Sequence, residues 1–273
     1  MKNVEAIAIG GFDGMHIGHQ HLFDELGSKD AIVVIETGYA NLTPGRIRER
    51  YCDHRIVYYS LDDIRHLDGS QFVSMLTGEF VNLKKIVVGY DFHFGRDRKY
   101  SFEDLKELFD GEVVVISEVK LHNDSVHSHK IRAKLRLGDI EGANQFLGHN
   151  YTLSGNVITG QGLGKKELVP TVNMETDGYL LPKEGVYATL ARFDDEEHYH
   201  PAVSFVGHRI TTDGSFAVET HILDKNIDCK KQIDVSFVRF IRENRHFDTL
   251  DALKDAISND ISIAKKELGH LSL

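Results

Sequence analysis

Cysteine is nearly absent: Cys52 and Cys229 are the only two in 273 residues, and they stand far apart. That excludes a disulfide framework and any cysteine-rich zinc site, and it suits a reducing cytoplasm. Long apolar runs are missing too, since none approaches the ~20 residues that a membrane-spanning helix requires. The opening "MKNVEAIAIGGFDG" holds an apolar stretch too short and too interrupted for a signal peptide, and reads as a first strand. On that reading "NLT", "NDS" and "NYT" match the glycosylation pattern by chance. Basic charge is also scarce: 32 Lys and Arg face 42 Asp and Glu, a net charge of -10. A phosphate backbone demands a basic surface, so this balance argues against a general nucleic-acid binder. A local basic pocket for a small phosphate stays open. No internal repeat and no low-complexity linker interrupts the chain.

What is present changes character about halfway. Up to Gly148, the runs "VEAIAIG", "AIVVIE", "RIVYYS", "KKIVVGY" and "EVVVISEV" alternate with helical patterns such as "HQHLFDELG", "SQFVSMLTG" and "SFEDLKELF". Near-continuously apolar strands alternating with helices predict an α/β domain with a parallel sheet covered on both faces. Two helices close this half, "HSHKIRAKLRLG" and "DIEGANQFLG", with Gly138 and Gly148 as stops and Asp139 as an N-cap. Beyond it, "YTLSGNVITG", "GVYATLARF", "YHPAVSFVG", "SFAVETHILD" and "KQIDVSFVRFIR" follow one another without helices. That favours an antiparallel barrel or sandwich. Leu250, Leu253, Ile257, Ile261, Ala264 and Leu268 recur at helical spacing, which predicts one amphipathic helix packed on it. The expected domains are 1–148 and 149–273, each of a common domain size.

The chemistry concentrates first in "GGFDGMHIGHQ". A strand ending near Ile9, a glycine-rich turn and a helix starting near Gly18 place backbone N–H groups where a phosphate could sit. His16 and His19, three apart, can donate hydrogen bonds to phosphate oxygens. In nucleotidyl transfer such donors stabilise the charge that builds on the α-phosphate and the departing pyrophosphate. Metal binding by the two histidines, or a turn that only connects two elements, are the bland alternatives. In the second half, "GQGLGKKELVPTVN" superficially suggests a Walker A loop. The spacing of Gly160 and Gly164 is wrong, and Lys165 is followed by Lys166, so that reading is rejected. Glu219 shares one face of its strand with Ala217, His221 and Leu223; by pattern alone it is a solvated carboxylate.

The motif "GGFDGMHIGHQ", then "VVGYDFHFGRDR", "IRAKLRLGDIEGANQFLGHNYTLSGNVITGQGLGKKELVPTVNM", "LPKEGVYATL", "VETHILD" and "VRFIRENRHFDTLDALKDAISNDI", in that order, resemble the bacterial bifunctional riboflavin kinase/FAD synthetases over most of the chain. The resemblance implies a Rossmann-like N-terminal domain that transfers AMP from ATP to FMN, and a C-terminal barrel that phosphorylates riboflavin. It places Gly11, Phe12, Asp13, Gly14, Gly18, Asp91 and Ser128 at the nucleotide, and His16, His19 and Arg132 at the phosphates. In the barrel it places Gly160 and Gly164 in a loop over ATP, Thr171 and Asn173 as oxygen ligands of Mg2+, and Glu219 as the base toward the ribityl hydroxyl. Its implied partners are riboflavin, FMN and ATP, with no nucleic acid and no membrane. The chain departs from the family pattern in lacking a Pro-His-Pro stretch after the second strand. It also reads His127, Ser128 and His129 where Ser-Ser-Thr is usual. A riboflavin kinase with a weakened adenylyltransferase domain, and a non-catalytic flavin- or nucleotide-binding regulator, are the alternative readings.

Overall fold

Five near-continuous apolar runs become five parallel strands in the protein, whose structure is a computed structural model describing residues 1–158, 169–194, 196–211, 214–223 and 231–269. They are β1 (Ala6–Gly10), β2 (Ala31–Glu36), β3 (Arg55–Ser60), β4 (Lys85–Gly89) and, after the short pair β5 (His93–Phe94) and β6 (Tyr100–Ser101), β7 (Glu112–Ile116). The sheet order is β3-β2-β1-β4-β7. Alternate side chains go to opposite faces, as a period of two requires. Ile7, Ile9, Val33, Ile86 and Val88 meet Ile64, Phe72, Val73, Leu76 and Leu105 on one side. Ala8, Ile32, Val34 and Val87 meet Leu22 and Phe23 on the other. The helices that supply those partners are α1 (Ile17–Phe23), the single turn α2 (Leu61–Ile64), α3 (Gly69–Glu79) and α4 (Phe102–Leu108). Covered on both faces, the sheet has the parallel architecture its apolar runs predict.

After the short pair β8 (Lys120–Leu121) and β9 (Asp124–Ser125) come α5 (Ser128–Leu137) and α6 (Ile140–Leu147). Both stops are where the sequence puts them: Gly138 and Gly148 take φ of 80° and 78°, and Asp139 Oδ1 accepts from Gly142 N at 3.0 Å. The contacts divide the chain into two compact units, Met1–Ser128 and His129–Leu273. This division runs just after Ser128, the first residue of α5, whereas the composition change lies after α6. Within the second unit Lys183 N donates to Leu135 O at 2.9 Å, and Asn144 receives Tyr151 N at 2.8 Å and donates to Phe237 O at 2.8 Å. Helices α5 and α6 are thus fastened to the strands that follow them.

Those strands are β10 (Tyr151–Ile158), β11 (Val172–Glu175), β12 (Gly185–Phe193), β13 (His200–His208), β14 (Phe216–Ile222) and β15 (Gln232–Glu243). They form a closed antiparallel barrel in the order β10-β11-β14-β13-β12-β15, so of barrel and sandwich the structure is a barrel. Its interior contains a chain of buried hydroxyls, Thr189 Oγ1 to Ser204 Oγ at 2.8 Å and Ser204 Oγ to Thr220 Oγ1 at 2.9 Å. Helix α7 (Leu250–Leu268), capped by Thr249, buries Ala264 and Leu268 against Ala188 and Leu190. A bidentate pair between Arg242 and the buried Asp260 also fixes it, with nitrogen to oxygen distances of 2.8 to 3.1 Å.

Candidate active sites

In the first unit the strand order reverses between β1 and β4, and in open parallel sheets the crevice at such a point is where ligands bind. The glycine-rich turn leaves the carboxyl end of β1 there, and Asp91 follows the carboxyl end of its neighbour β4. The turn is tight: Phe12 and Met15 take φ of 48° and 45°, left-handed values that non-glycine residues hold only where surrounding structure enforces them. The Phe12 ring folds back to within 2.9 Å of where a Gly10 Cβ would be. Asp13 is buried, and its carboxylate accepts from the N–H groups of Asn41, Leu42 and Thr43 at 3.1, 3.0 and 2.9 Å. Gly14 N donates to Thr43 Oγ1 at 2.8 Å, and Ser128 Oγ donates to Asp13 O at 2.8 Å. The loop after β2 and Ser128, the last residue of this unit, are therefore pinned to the turn. Gly11 borders open space, an added Cβ there meeting nothing closer than Ile35 O at 4.0 Å.

His16 is the N-cap of α1, and its Nδ1 accepts from His19 N at 3.3 Å. A ring nitrogen that accepts carries no proton, which leaves the His16 proton on Nε2. The two imidazoles stack with centroids 3.5 Å apart, and Phe12 meets His19 edge-on at 5.1 Å. Gly18 allows this, because a Cβ there would lie 3.2 Å from the His16 ring. Burial, then the nearby charges of His16, Arg48 and His127, hold the His19 pKa well below its ordinary value, so at neutral pH it is an uncharged ring. Its Nδ1 is buried with no hydrogen-bond partner among the described residues. Arg48, which the sequence reading does not single out, is buried here with Nη1 2.6 Å from Glu36 Oε1. "GRIRER" offers three arginines and no periodic signal to choose among them. Asp91 is exposed, with Oδ1 3.1 Å from where a Gly89 Cβ would stand. Arg132 is half-buried on α5, in the second unit.

In the second unit the register of β11 on β14 sets Asn173 directly opposite Glu219. Facing residues of an antiparallel pair lie within side-chain reach. Between them is a residue that sequence reasoning missed, Arg209, the first beyond β13. Its Nε donates to Glu219 Oε1 at 2.7 Å, its Nη2 lies 2.6 Å from the same oxygen, and Nη2 donates to Asn173 Oδ1 at 2.7 Å. Glu219, Arg209 and Thr171 border a cavity of about 170 Å³ whose apolar lining includes Phe247, Ile257 and Ile261. Gly160 and Gly164 lie outside the described residues. Among the described residues no cluster of three or more His, Cys, Asp or Glu could hold a metal. The hard oxygens of Asn173 and Glu219 nevertheless already converge on one cation, the Arg209 guanidinium, which is the donor chemistry magnesium accepts.

A doubly covered α/β unit with an anion-type turn at its switch point, followed by a barrel with a carboxylate beside an apolar cavity, defines a two-domain phosphate-transferring enzyme. Residues 46–130 match the FAD synthetase family, and residues 147–268 match the riboflavin kinase family. The chain belongs to the bifunctional riboflavin kinase/FMN adenylyltransferase family. It is 30% identical over 284 residues to the member from Pseudomonas fluorescens, covering 94% of this chain and 91% of that protein. To the Escherichia coli K12 member it is 29% identical over 290 residues, covering 96% and 92%. A crystal structure described as a macrolide-efflux protein from Streptococcus pneumoniae superposes with a TM-score of 0.85 at 26% identity, covering 97% of this chain and 95% of that one. Among the described residues of this chain no helix is long and apolar enough to cross a membrane.

Proposed function

We infer that the chain makes both flavin cofactors, phosphorylating riboflavin to FMN with ATP and then transferring AMP from ATP to FMN to give FAD and pyrophosphate. The observation that carries the reading is Glu219, held opposite Asn173 at the edge of a cavity with an apolar wall. The wall formed by Phe247, Ile257 and Ile261 suits a planar ring system, and the polar border of Thr171, Arg209 and Glu219 suits a hydroxylated chain. Glu219 takes the proton of the terminal ribityl hydroxyl as its oxygen bonds to the γ-phosphorus and ADP leaves. In the first unit a phosphate oxygen of FMN attacks the α-phosphorus of ATP and the bond to pyrophosphate breaks, with no protein nucleophile. His16 Nε2–H points hydrogen-bonding capacity at that phosphate, and the orphaned Nδ1 of His19 gains a partner when nucleotide binds. Gly11, Phe12, Gly14 and Gly18 shape the turn, Asp13 and Ser128 brace it, and Asp91 adds a nucleotide contact. Thr171 and Asn173 would hold Mg2+, which neutralises phosphate charge when bound. A cytoplasmic location accords with the two isolated cysteines.

The test is direct. The purified chain is incubated with riboflavin, ATP and magnesium, and the flavins are separated by chromatography. Both FMN and FAD are expected, and chelation of magnesium should stop both steps. FMN without FAD would remove the adenylyl-transfer half; neither product, or undiminished activity after thorough chelation, would overturn the mechanism.

A further inference from the structure

We propose that Arg209 is a placeholder cation: its guanidinium holds Asn173 and Glu219 where they meet metal and substrate, and the metal binds only as that guanidinium leaves. The inference rests on the kinase reading of the barrel. Its basis is that one side chain engages both groups assigned to ligand and base, at 2.7 Å from Asn173 Oδ1 and 2.6 and 2.7 Å from Glu219 Oε1. Asn173 is buried, and a buried carboxamide oxygen left without a donor carries the full cost of its lost hydration. Arg209 removes that cost before any metal is present. It also offsets the negative charge of Glu219, whose side chain is only 24% exposed.

Both cannot stay. A guanidinium and a divalent cation drawn to the same Oδ1 repel one another, so each metal ion that binds there works against the Arg209 contact. The backbone of Arg209 is fixed, since its N donates to Ser215 O at 2.9 Å and its O accepts from Gly214 N at 3.1 Å. The side chain is what can move. Nη1 bonds Ser215 Oγ at 2.7 Å within the same β13–β14 hairpin, so a rotation of the long stem can release Asn173 while the hairpin stays in place. Arg209 is thus a positioning residue for Asn173 and Glu219.

The test measures metal binding rather than turnover. Mn2+ binding to the full chain is followed in the presence of ADP by the electron paramagnetic resonance signal of free Mn2+, for wild type, Arg209→Gln, Arg209→Lys and Arg209→Gln combined with Asn173→Ala. Arg209→Gln should tighten one class of Mn2+ site by roughly tenfold, the scale of one charge-assisted hydrogen bond that no longer has to be broken. Arg209→Lys, which keeps the charge but not the fork, should fall between. Adding Asn173→Ala should erase the gain. Unchanged or weaker binding in a folded Arg209→Gln, or a gain that survives Asn173→Ala, would overturn the proposal. If Arg209→Gln did not fold, Arg209→Lys would decide: tighter binding supports the placeholder, equal or weaker binding sinks it. Failure of the kinase reading shows separately, as absence of FMN formation by the wild type.

Discussion

His19 ties the local physics of one imidazole to a measurable property. Its pKa is depressed by burial first and by neighbouring positive charge second, so on acidification the unfolded chain takes up the proton before the folded one. The stabilisation from keeping this ring neutral is complete above the unfolded value of about 6.5 and is lost as pH falls from there through the folded-state value. The melting temperature should therefore drop between roughly pH 7.5 and 5.5 more steeply in wild type than in His19→Gln, and equal slopes would show that the ring is not buried as described. The same residue separates the two chemistries. His19→Ala removes a group aimed at the transferring phosphate and should slow FAD formation by about a hundredfold or more, with FMN formation nearly unchanged. Glu219→Gln keeps shape but loses the base, and should slow riboflavin phosphorylation by ~100- to 10,000-fold while FAD formation from supplied FMN persists. Full rates in both assays for both folded variants would retire these roles. His16, His19 and Glu219, the residues to which these proposed roles attach, could be singled out because a motif marks them. Arg209 and Arg48 were not, because a cation announces itself in sequence only through its partners, and Asn173 and Glu36 lie 36 and 12 residues away.

At the scale of elements, long apolar runs were readable and short ones were not. The five sheet strands of the first unit follow their runs, and α7 spans Leu250–Leu268, the extent its spacing predicts. Strand β11 is only four residues, Val172–Glu175, too short for alternation to register, yet it is what carries Asn173 to Glu219. Nor does periodicity say what an apolar face is for. Leu253, Ile257 and Ile261 of α7 line the cavity, while Ala256, Asp260, Ala264 and Leu268 are the buried positions. Helix α6 yields a prediction about where the chain can be cut. It buries Ile140, Phe146 and Leu147, large side chains worth roughly 1.5–3 kcal/mol each, and Asn144 bonds to both Tyr151 and Phe237. A fragment 129–273 should melt well above a fragment 149–273, and should phosphorylate riboflavin at the lower temperature where the shorter piece is already unfolded. Identical melting would mean that α5 and α6 contribute nothing to the barrel.

For the whole molecule, two units each holding its own constellation imply that the activities need not reside in the same chain. A mixture of His19→Ala and Glu219→Gln proteins should convert riboflavin to FAD, because FMN released by one can be adenylylated by the other; neither variant alone should do so at a comparable rate. If the mixture did no better than its components, FMN would have to pass within one molecule. The barrel's closure adds a constraint of another kind. Of the barrel strands described, β15 is the last along the chain, and it joins β10 to β12, pairing from Tyr151 with Phe237 and from Val186 with Arg242. A nascent chain that has not yet delivered β15 has two unpaired strand edges, and open edges recruit other chains. Synthesis paused or prematurely ended before Gln232 would therefore release a sticky sheet in place of a barrel, making the interval before β15 emerges the one in which this protein most needs protection from its neighbours.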